Sequence, residues 1–299
     1  FQKRWQKWRK PINIIIMTKE IISEVYNMDC VAGMREYPDK YFDLAIVDIE
    51  YGIGASKPSL KPNTVVQKNG SVLNVKQSNY EQKDWDFKKS TPEYFEQLFR
   101  VSKKQIIFGG NYYGLEGGYL VWDKLNGLTD QYDCELAWLS FTKRTDLVYY
   151  MWSGMIQGET PSRDVRKALR QIGNKSLNEK RIHPTQKPIP LYEWLLSEYA
   201  KDLECSNQHC EDGIVDILYG EKIYCGICDG NFTPKILDTH GGSMSSVIAC
   251  LKGGYNITCF EIDREYYNKG KKRIEAFISQ GNLFMEKPEI KFIDTCSTK

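Results

Sequence analysis

The sequence has no apolar run long enough to cross a bilayer and no surplus of charge of either sign. Its longest apolar stretches fall well short of the roughly 20 residues that a transmembrane helix needs. The 41 Lys and Arg residues nearly balance the 39 Asp and Glu residues, which leaves a formal net charge of +2. We therefore expect no membrane partner, and any contact with a polyanion must come from local clusters of Lys and Arg.

An export signal and a dinucleotide fingerprint are also missing. The opening FQKRWQKWRKPINIII is basic and ends in a short apolar run, but it lacks a small-residue cleavage site. Met17 is a more natural start, so residues 1–16 are expected to be an N-terminal extension. The pattern G-x-G-x-x-G does not occur, which counts against NAD. A 299-residue chain that is 41% hydrophobic can bury a full core, and we expect a cytoplasmic globular enzyme.

Strands alternate with helices along the sequence, which predicts a mostly parallel α/β sheet. YFDLAIVDIEYG contains a buried strand that ends at Asp48. TPEYFEQLFRV predicts a helix from Pro92 to Val101 with Thr91 as its N-cap. Further strands are expected at 105–110, 118–124, 134–141 and near 235 and 261, and further helices at 191–203, before 254 and after 263.

A long polar stretch at 54–86 interrupts this alternation. It shows little periodicity, and loops of that length inside compact domains are usually functional or disordered. It carries Lys57, Lys61, Lys68 and Lys76, and a second basic cluster lies between Arg163 and Arg181. Such clusters are more often solvated faces than binding sites, so both interpretations stay open.

Two strand ends carry acidic residues in patterns that suit ligand binding. KILDTHGGSMSS predicts a strand ending at Asp238, a glycine turn and a helix start, and the next strand ends at Glu261. Glycines allow a ligand to approach the backbone, and an acid at the next strand end suits ribose hydroxyls. A purely structural strand–turn–helix explains the same residues equally well.

Two further motifs are weak on their own. Asp48-Ile49-Glu50-Tyr51 follows a strand, where an acid could accept hydrogen bonds from a base amine while the Tyr51 ring stacks on the base. Arg181-Ile182-His183-Pro184-Thr185-Gln186-Lys187-Pro188 precedes a helix, and its prolines hold polar groups on an extended backbone. Taken alone, Asp48 and His183 are better explained as structural residues.

The motifs together, in this order, resemble the amino-group DNA methyltransferases that modify N6 of adenine or N4 of cytosine. IHPTQKP, ILDTHGGS and FEID follow the Asp48–Tyr51 motif as in the permuted β subgroup with its phage-type members, where the catalytic half precedes the cofactor half. The resemblance spans roughly residues 21 to 280 apart from one insert. It implies an α/β fold with a Rossmann-like S-adenosylmethionine-dependent methyltransferase sheet and a permuted motif order.

The resemblance also implies roles for individual residues. Asp48, Glu50 and Tyr51 would form the catalytic set, with Asp48 accepting from the target amine and Tyr51 stacking on a flipped base. An aspartate at position 48 favours adenine N6 over cytosine N4. S-adenosyl-L-methionine would be bound by Asp29, Thr185, Gln186, Lys187, Asp238, Gly241, Gly242, Ser243, Glu261 and Asp263. The partner would be double-stranded DNA, and the protein a monomer or homodimer.

This chain departs from the family pattern in two places. The family's D-P-P-Y is Asp48-Ile49-Glu50-Tyr51 here, so both prolines that rigidify the turn are lost. The family's D-P-F-x-G-S-G is Asp238-Thr239-His240-Gly241-Gly242-Ser243-Met244, so Met244 replaces a glycine. The alternatives are a catalytically impaired DNA-binding relative, an N4-cytosine enzyme, and a methyltransferase that acts on RNA or protein.

A cysteine-rich insert at 203–235 is independent of the family resemblance. Cys205 and Cys210 form one close pair, and Cys225 and Cys228 form another. Two such pairs predict a small ribbon that holds structural Zn²⁺, with four unrelated reduced thiols as the alternative. The expected organisation is an extension at 1–16, a catalytic half at 17–202 with a DNA-facing loop at 54–86, the insert at 203–235, a cofactor half at 236–282 and a tail at 283–299.

Overall fold

The structure is a computed structural model. It describes residues 22–52, 64–66, 70–74, 89–125, 132–153, 156–158, 178–201, 203–205, 210–211, 214–216, 222–224, 232–280 and 289–295. The expected N-terminal extension, most of the 54–86 loop, and Cys225 and Cys228 lie outside these residues. Within the described ranges, no helix is long and apolar enough to cross a membrane.

A nine-stranded sheet organises the larger of two compact units, which comprises Ile22–Glu204 and Thr233–Lys299. Its strands are β1 (Ile22–Asn27), β2 (Phe42–Asp48), β5 (Ser102–Phe108), β6 (Gly118–Asp123), β7 (Cys134–Leu139), β8 (Thr145–Tyr149), β14 (Lys235–Asp238), β15 (Asn256–Phe260) and β16 (Glu289–Asp294). Their order across the sheet is β16-β1-β15-β14-β2-β5-β7-β6-β8. Only β7 runs antiparallel to its neighbours, so the expected mostly parallel α/β sheet is confirmed.

The strand order brings together segments that are far apart in the sequence. β14, from the expected cofactor half, pairs with β2, from the expected catalytic half. β1, near the start of the chain, pairs with β15 on one side and β16 on the other. Because β2, β5, β14 and β15 are parallel, their carboxyl ends meet at one edge of the sheet, where α/β proteins bind ligands.

Five helices accompany the sheet: α1 (Cys30–Arg35), α2 (Pro92–Val101), α3 (Ile189–Tyr199), α4 (Ser245–Gly253) and α5 (Arg264–Ser279). The Thr91 side chain accepts a hydrogen bond from Tyr94 N at 3.2 Å, which confirms the expected N-cap of α2. Leu44 and Ile46 of β2 join one apolar core, and Ala45 and Val47 join a second. The central strand is thus covered on both faces, as its continuous apolar run predicts.

Smaller sheets lie outside the main one. Within the expected long loop, β3 (Thr64–Val66) and β4 (Val72–Asn74) form an antiparallel hairpin. β9 (Met151–Ser153) and β10 (Ile156–Gly158) form another. In the insert, β11 (Cys210–Glu211), β12 (Ile214–Asp216) and β13 (Lys222–Tyr224) form a three-stranded antiparallel sheet in the other compact unit, which contains Cys205–Phe232.

Candidate active site

A cavity of about 920 Å³ lies at the carboxyl ends of the parallel strands. Its volume is in the range of small-molecule sites. The sequence-predicted residues that line it are Asp48, Glu50, Tyr51, Thr185, Gln186, Lys187, Gly241, Gly242, Ser243, Glu261 and Asp263. The fold therefore gathers residues from three distant segments of the chain into one wall.

Asp48, at the end of β2, belongs to a cluster of alternating charges. Its Oδ1 lies 2.5 Å from Lys187 Nζ and accepts a hydrogen bond from the Tyr51 hydroxyl at 3.1 Å. Lys187 Nζ also lies 3.1 Å from Glu135 Oε2, and Lys124 pairs with the other oxygen of Glu135. The Lys187 side chain is 3% exposed, so its charge is neutralised by the two carboxylates and not by water.

Burial and these partners set the protonation of the cluster. Burial raises the pKa of Asp48, although the Lys187 ammonium opposes the shift and the Glu135 charge adds to it. Burial also acts to raise the pKa of Glu135, but Lys187 and Lys124 outweigh it and lower that pKa to about 2. Burial alone would lower the pKa of Lys187, yet Asp48 and Glu135 raise it. Glu135 and Lys187 are thus firmly charged, and Asp48 is the member closest to titrating.

Two tyrosines form an aromatic platform beside Asp48. The rings of Tyr51 and Tyr112 stack at a centroid distance of 5.1 Å and an interplanar angle of 23°. Gly109 has φ +77°, and a Cβ there would lie 2.2 Å from the Tyr51 ring. Glycine is therefore required at position 109, both for its left-handed conformation and for the approach of Tyr51.

On the opposite side of the cavity wall, the Glu261 carboxylate accepts hydrogen bonds that hold the glycine turn after β14. The carboxylate accepts from Gly242 N at 2.6 Å and from Asp263 N at 2.7 Å. Burial raises the pKa of Glu261 to about 7, although these two hydrogen bonds oppose the shift. Asp263 in turn caps α5, accepting from the backbone N–H groups of Glu265 and Tyr266.

Asp238 and Asp29 do not line the cavity wall. Asp238 is 1% exposed and accepts hydrogen bonds from the Ser246 hydroxyl and from His240 N at 3.0 Å, so it stabilises the turn that follows β14. Asp29 caps α1 by accepting from Ala32 N at 2.8 Å. Their expected cofactor contacts, like those of the residues in the cavity wall, remain predictions.

The Thr185–Gln186 segment presents a donor without an acceptor. Gln186 is 4% exposed, and its Oε1 accepts from Ile182 N at 2.9 Å. Its Nε2 is buried with no hydrogen-bond partner among the described residues. The Gln186 carbonyl accepts from Trp152 Nε1 at 2.8 Å, which fixes the backbone of the segment. A buried amide N–H₂ group at a cavity wall is costly unless a ligand supplies the acceptor.

Met244 stands where the sequence resemblance leads one to expect glycine. It adopts a left-handed φ of +60° at the N-cap of α4, and its side chain is fully buried. The side chain packs against Gly241 and Gly270, because a Cβ at either position would lie under 3 Å from Met244 atoms. Met244 therefore points into the α4–α5 contact and leaves the cavity wall to Gly241, Gly242 and Ser243.

Several residues of the wall were not predicted from the sequence, namely Glu135, Lys124, Tyr112, Trp152 and Arg181. Arg181 stacks on the Trp152 ring at 4.7 Å. Outside the wall, Arg273 donates to the Ser243 carbonyl at 2.6 Å and to Glu179 at 2.6 Å, tying α5 to the turn. The sequence signal for Glu135 was weak: an acidic residue near the start of the expected strand CELAWLSF.

The predicted zinc ligands are not assembled among the described residues. There, no group of three or more Cys, His, Asp or Glu side chains could hold a metal. Cys205 is half-buried, and Cys210 lies on β11. Since Cys225 and Cys228 fall outside the described residues, zinc stays a prediction.

No family model and no curated protein sequence matches the chain. Three solved structures resemble it in shape at low identity. M1.HpyAVI in complex with SAM has 16% identity, 84% of this chain and 99% of that chain covered, and a TM-score of 0.39. TTHA0409 from Thermus thermophilus, in complex with S-adenosyl-L-methionine, has 12% identity and a TM-score of 0.40, and the match covers 91% of this chain and 98% of that chain. PvuII DNA methyltransferase (cytosine-N4-specific) has 11% identity and a TM-score of 0.41, and the match covers 90% of this chain and 91% of that chain.

Proposed function

We propose that the chain is an S-adenosylmethionine-dependent DNA methyltransferase that modifies an exocyclic base amine, N6 of adenine. One observation carries the proposal. A single cavity joins Asp48 and Tyr51, from the end of β2, to the glycine turn after β14 and to Glu261 after β15. Such a wall offers an acceptor and an aromatic face for a base on one side and a nucleoside pocket on the other.

The residues present fit S-adenosylmethionine. The unpaired donor of Gln186 suits the carboxylate of the methionine end, with Thr185 beside it. Glu261 suits the ribose hydroxyls, and Gly241 and Gly242 allow close approach of the ligand to the backbone. When bound, S-adenosylmethionine supplies an electrophilic methyl group on a sulfonium centre.

On the substrate side, Asp48 orients the amine and Tyr51 holds the base. A base amine is a nucleophile that needs a hydrogen-bond acceptor, and the Asp48 carboxylate supplies it when ionised. Because the amine lies inside the duplex, the base must be flipped into the cavity. The Tyr51 ring, which stacks on Tyr112 and lines the cavity, would supply the aromatic face for the base.

We assign Lys187 to Asp48 and not to the cofactor carboxylate that the resemblance implies. Its ammonium lies 2.5 Å from Asp48 and 3.1 Å from Glu135 and is almost fully buried. A lysine held this way keeps Asp48 ionised and fixes the direction of its carboxylate. The lysines at 57, 61 and 68, outside the described residues, would contact the DNA backbone.

The test is transfer of isotope-labelled methyl from S-adenosylmethionine to duplex DNA, with single-stranded RNA and protein as competing acceptors. Digestion to nucleosides and mass spectrometry should find N6-methyladenine. Asp48→Asn should lower the rate at least a hundredfold while cofactor affinity stays normal. Asp39→Asn, an exposed acid paired with Arg100, is the matched control. Cofactor binding without any methylated product would favour the catalytically impaired relative, and methylcytosine would overturn the N6 assignment.

A further inference from the structure

An ion pair joins the two loops that meet across the cavity. Glu50 lies two residues after the end of β2, and His240 lies two residues after the end of β14. Glu50 Oε1 and His240 Nε2 are 3.3 Å apart, and both side chains are about three-quarters buried. Both residues line the cavity, so the contact links the substrate side directly to the cofactor side.

The loop after β2 is fixed by hydrogen bonds at Glu50. The second carboxylate oxygen of Glu50 accepts from the Ser90 hydroxyl at 2.8 Å. The Glu50 carbonyl accepts from the Tyr113 hydroxyl at 2.5 Å, and Tyr113 also receives a hydrogen bond from Ser90 N at 2.8 Å. Glu50 is therefore held at its side chain and at its backbone.

His240 is fixed just as closely. Its Nδ1 lies 2.8 Å from the Thr239 hydroxyl, which lies 2.7 Å from the Tyr94 hydroxyl of α2. The His240 and Tyr94 rings meet edge to face at 5.4 Å. Because Nδ1 is occupied by a local partner, Nε2 is the atom directed at Glu50.

The groups around the pair favour its charged form. Three carboxylates act on His240: Glu50 on the loop after β2, Asp238 at the end of β14 and Glu261 directly after β15. Burial acts to lower the pKa of His240, but these carboxylates raise it to about 9. Burial acts to raise the pKa of Glu50, but His240 and Ser90 lower it to about 2. The nearby Cys30 thiol and Tyr94 phenol have raised pKa values and stay neutral.

Both residues stand at positions where this chain departs from the family motifs, as Ile49, Thr239 and Met244 also do. Glu50 stands where D-P-P-Y has its second proline, and His240 stands where D-P-F-x-G-S-G has phenylalanine. Proline would fix the turn through its ring, whereas glutamate leaves the backbone free. In this chain the fixing contact comes from the opposite loop, through the ion pair.

We infer that Glu50 and His240 are positioning residues, an ion-pair latch that replaces proline rigidity and aligns Asp48 and Tyr51 with the cofactor turn. The inference rests on the proposed function for its catalytic consequence. The latch closes while both partners are charged and opens as the pH rises through the pKa of His240. Methyl transfer should therefore decline above a pH of about 9.

The latch itself is tested without any turnover, by NMR titration of the imidazole resonances in the protein alone. The chain has three histidines, so the His240 signal is identified by its loss in His240→Gln. We expect His240 to titrate near pH 9 in the wild type and more than two pH units lower in Glu50→Gln. Glu93→Gln, an exposed acid paired with Arg35, should leave the titration unchanged. A wild-type titration below pH 7, or one indifferent to Glu50→Gln, would overturn the latch.

The positioning role is tested by the pH dependence of methyl transfer. Glu50→Gln and His240→Gln should each lower kcat about tenfold, and the double variant should be no slower than either, because each single change already opens the latch. The decline near pH 9 should vanish in both variants. Equal declines in wild type and variants would overturn the positioning role. A protein that shows the NMR coupling but methylates nothing would leave the latch standing and overturn the proposed function.

Discussion

At the scale of single residues, the cavity wall is a row of alternating charges, from Lys124 through Glu135 and Lys187 to Asp48. The two inner members, Glu135 and Lys187, each have an opposite charge on both sides, whereas Asp48 ends the row and lines the cavity. Burial costs a lone carboxylate several kcal/mol and raises the pKa of Asp48, and Lys187 opposes this rise and so favours the ionised form that an amine acceptor needs. Sequence inspection could nominate Asp48 and Lys187, but nothing in it indicated that they pair.

Lys187→Gln should move the acidic limb of the pH–rate profile to higher pH. Asp48 must be ionised to accept from the amine, and Lys187 is the group that opposes the rise of its pKa. Without it the pKa of Asp48 rises further, so activity is lost at a higher pH as the solution is acidified. The measurement is kcat between pH 5 and 9 at saturating substrates. Lys252→Gln, at an exposed pair with Glu193, is the control, and an unmoved acidic limb would contradict the assignment.

Gln186→Glu should weaken cofactor binding while the protein remains folded. The carboxylate still offers an oxygen to Ile182 N, but it replaces the unpaired Nε2 donor by a second acceptor. A lost charged hydrogen bond costs about 1.5–3 kcal/mol, so Kd for S-adenosylmethionine should rise roughly 10- to 100-fold. Isothermal calorimetry measures it, with Gln97→Glu on α2 as the control. An unchanged Kd would remove Gln186 from the cofactor site.

At the scale of elements, the sequence predicts the helices and strands whose signals lie within their own segments. β2 ends at Asp48 and α2 spans Pro92–Val101 as expected, because an apolar run and a cap with proline lie within the segments themselves. β16 lies in the segment that was expected to be a tail, although EIKF alternates polar and apolar residues as an edge strand does. Its six residues pair with β1, and such pairing depends on partners hundreds of residues away. The same non-locality hid the pairing of Glu50 with His240.

The buried Met244 side chain packs between α4 and α5, so Met244→Gly should destabilise the protein. The left-handed conformation costs a non-glycine residue about 1–2 kcal/mol, which glycine would relieve. Deleting a fully buried side chain costs about 2–5 kcal/mol, so the packing loss is larger. Urea unfolding should show a net loss of about 1–3 kcal/mol. Met244→Leu, which keeps the bulk, should lose less than about 1.5 kcal/mol. A glycine variant as stable as the wild type would mean that the relief of backbone strain offsets the whole loss of packing.

At the scale of the whole molecule, the chain divides into two compact units, and the site lies in one of them. All cavity residues belong to Ile22–Glu204 and Thr233–Lys299, whereas Cys205–Phe232 belong to the other unit. The main sheet has two apolar cores of its own. The three strands of the insert are two or three residues long, too short to enclose a comparable core. We predict that a metal held by the two cysteine pairs stabilises this unit.

If Cys205, Cys210, Cys225 and Cys228 bind zinc, protein purified without chelator should carry about one Zn²⁺ per chain. The metal holds thiolates, so its affinity should fall at acid pH, where protons compete for sulfur. Chelation should unfold the insert and leave the main thermal transition in place, because the sheet and its cores lie in the other unit. Cys205→Ser with Cys228→Ser should abolish the zinc, and Cys296→Ser, far from both pairs in sequence, should keep it. Elemental analysis that finds no zinc in the wild type would leave four ordinary thiols. Zinc loss that also melts the main sheet would show that the two units fold as one.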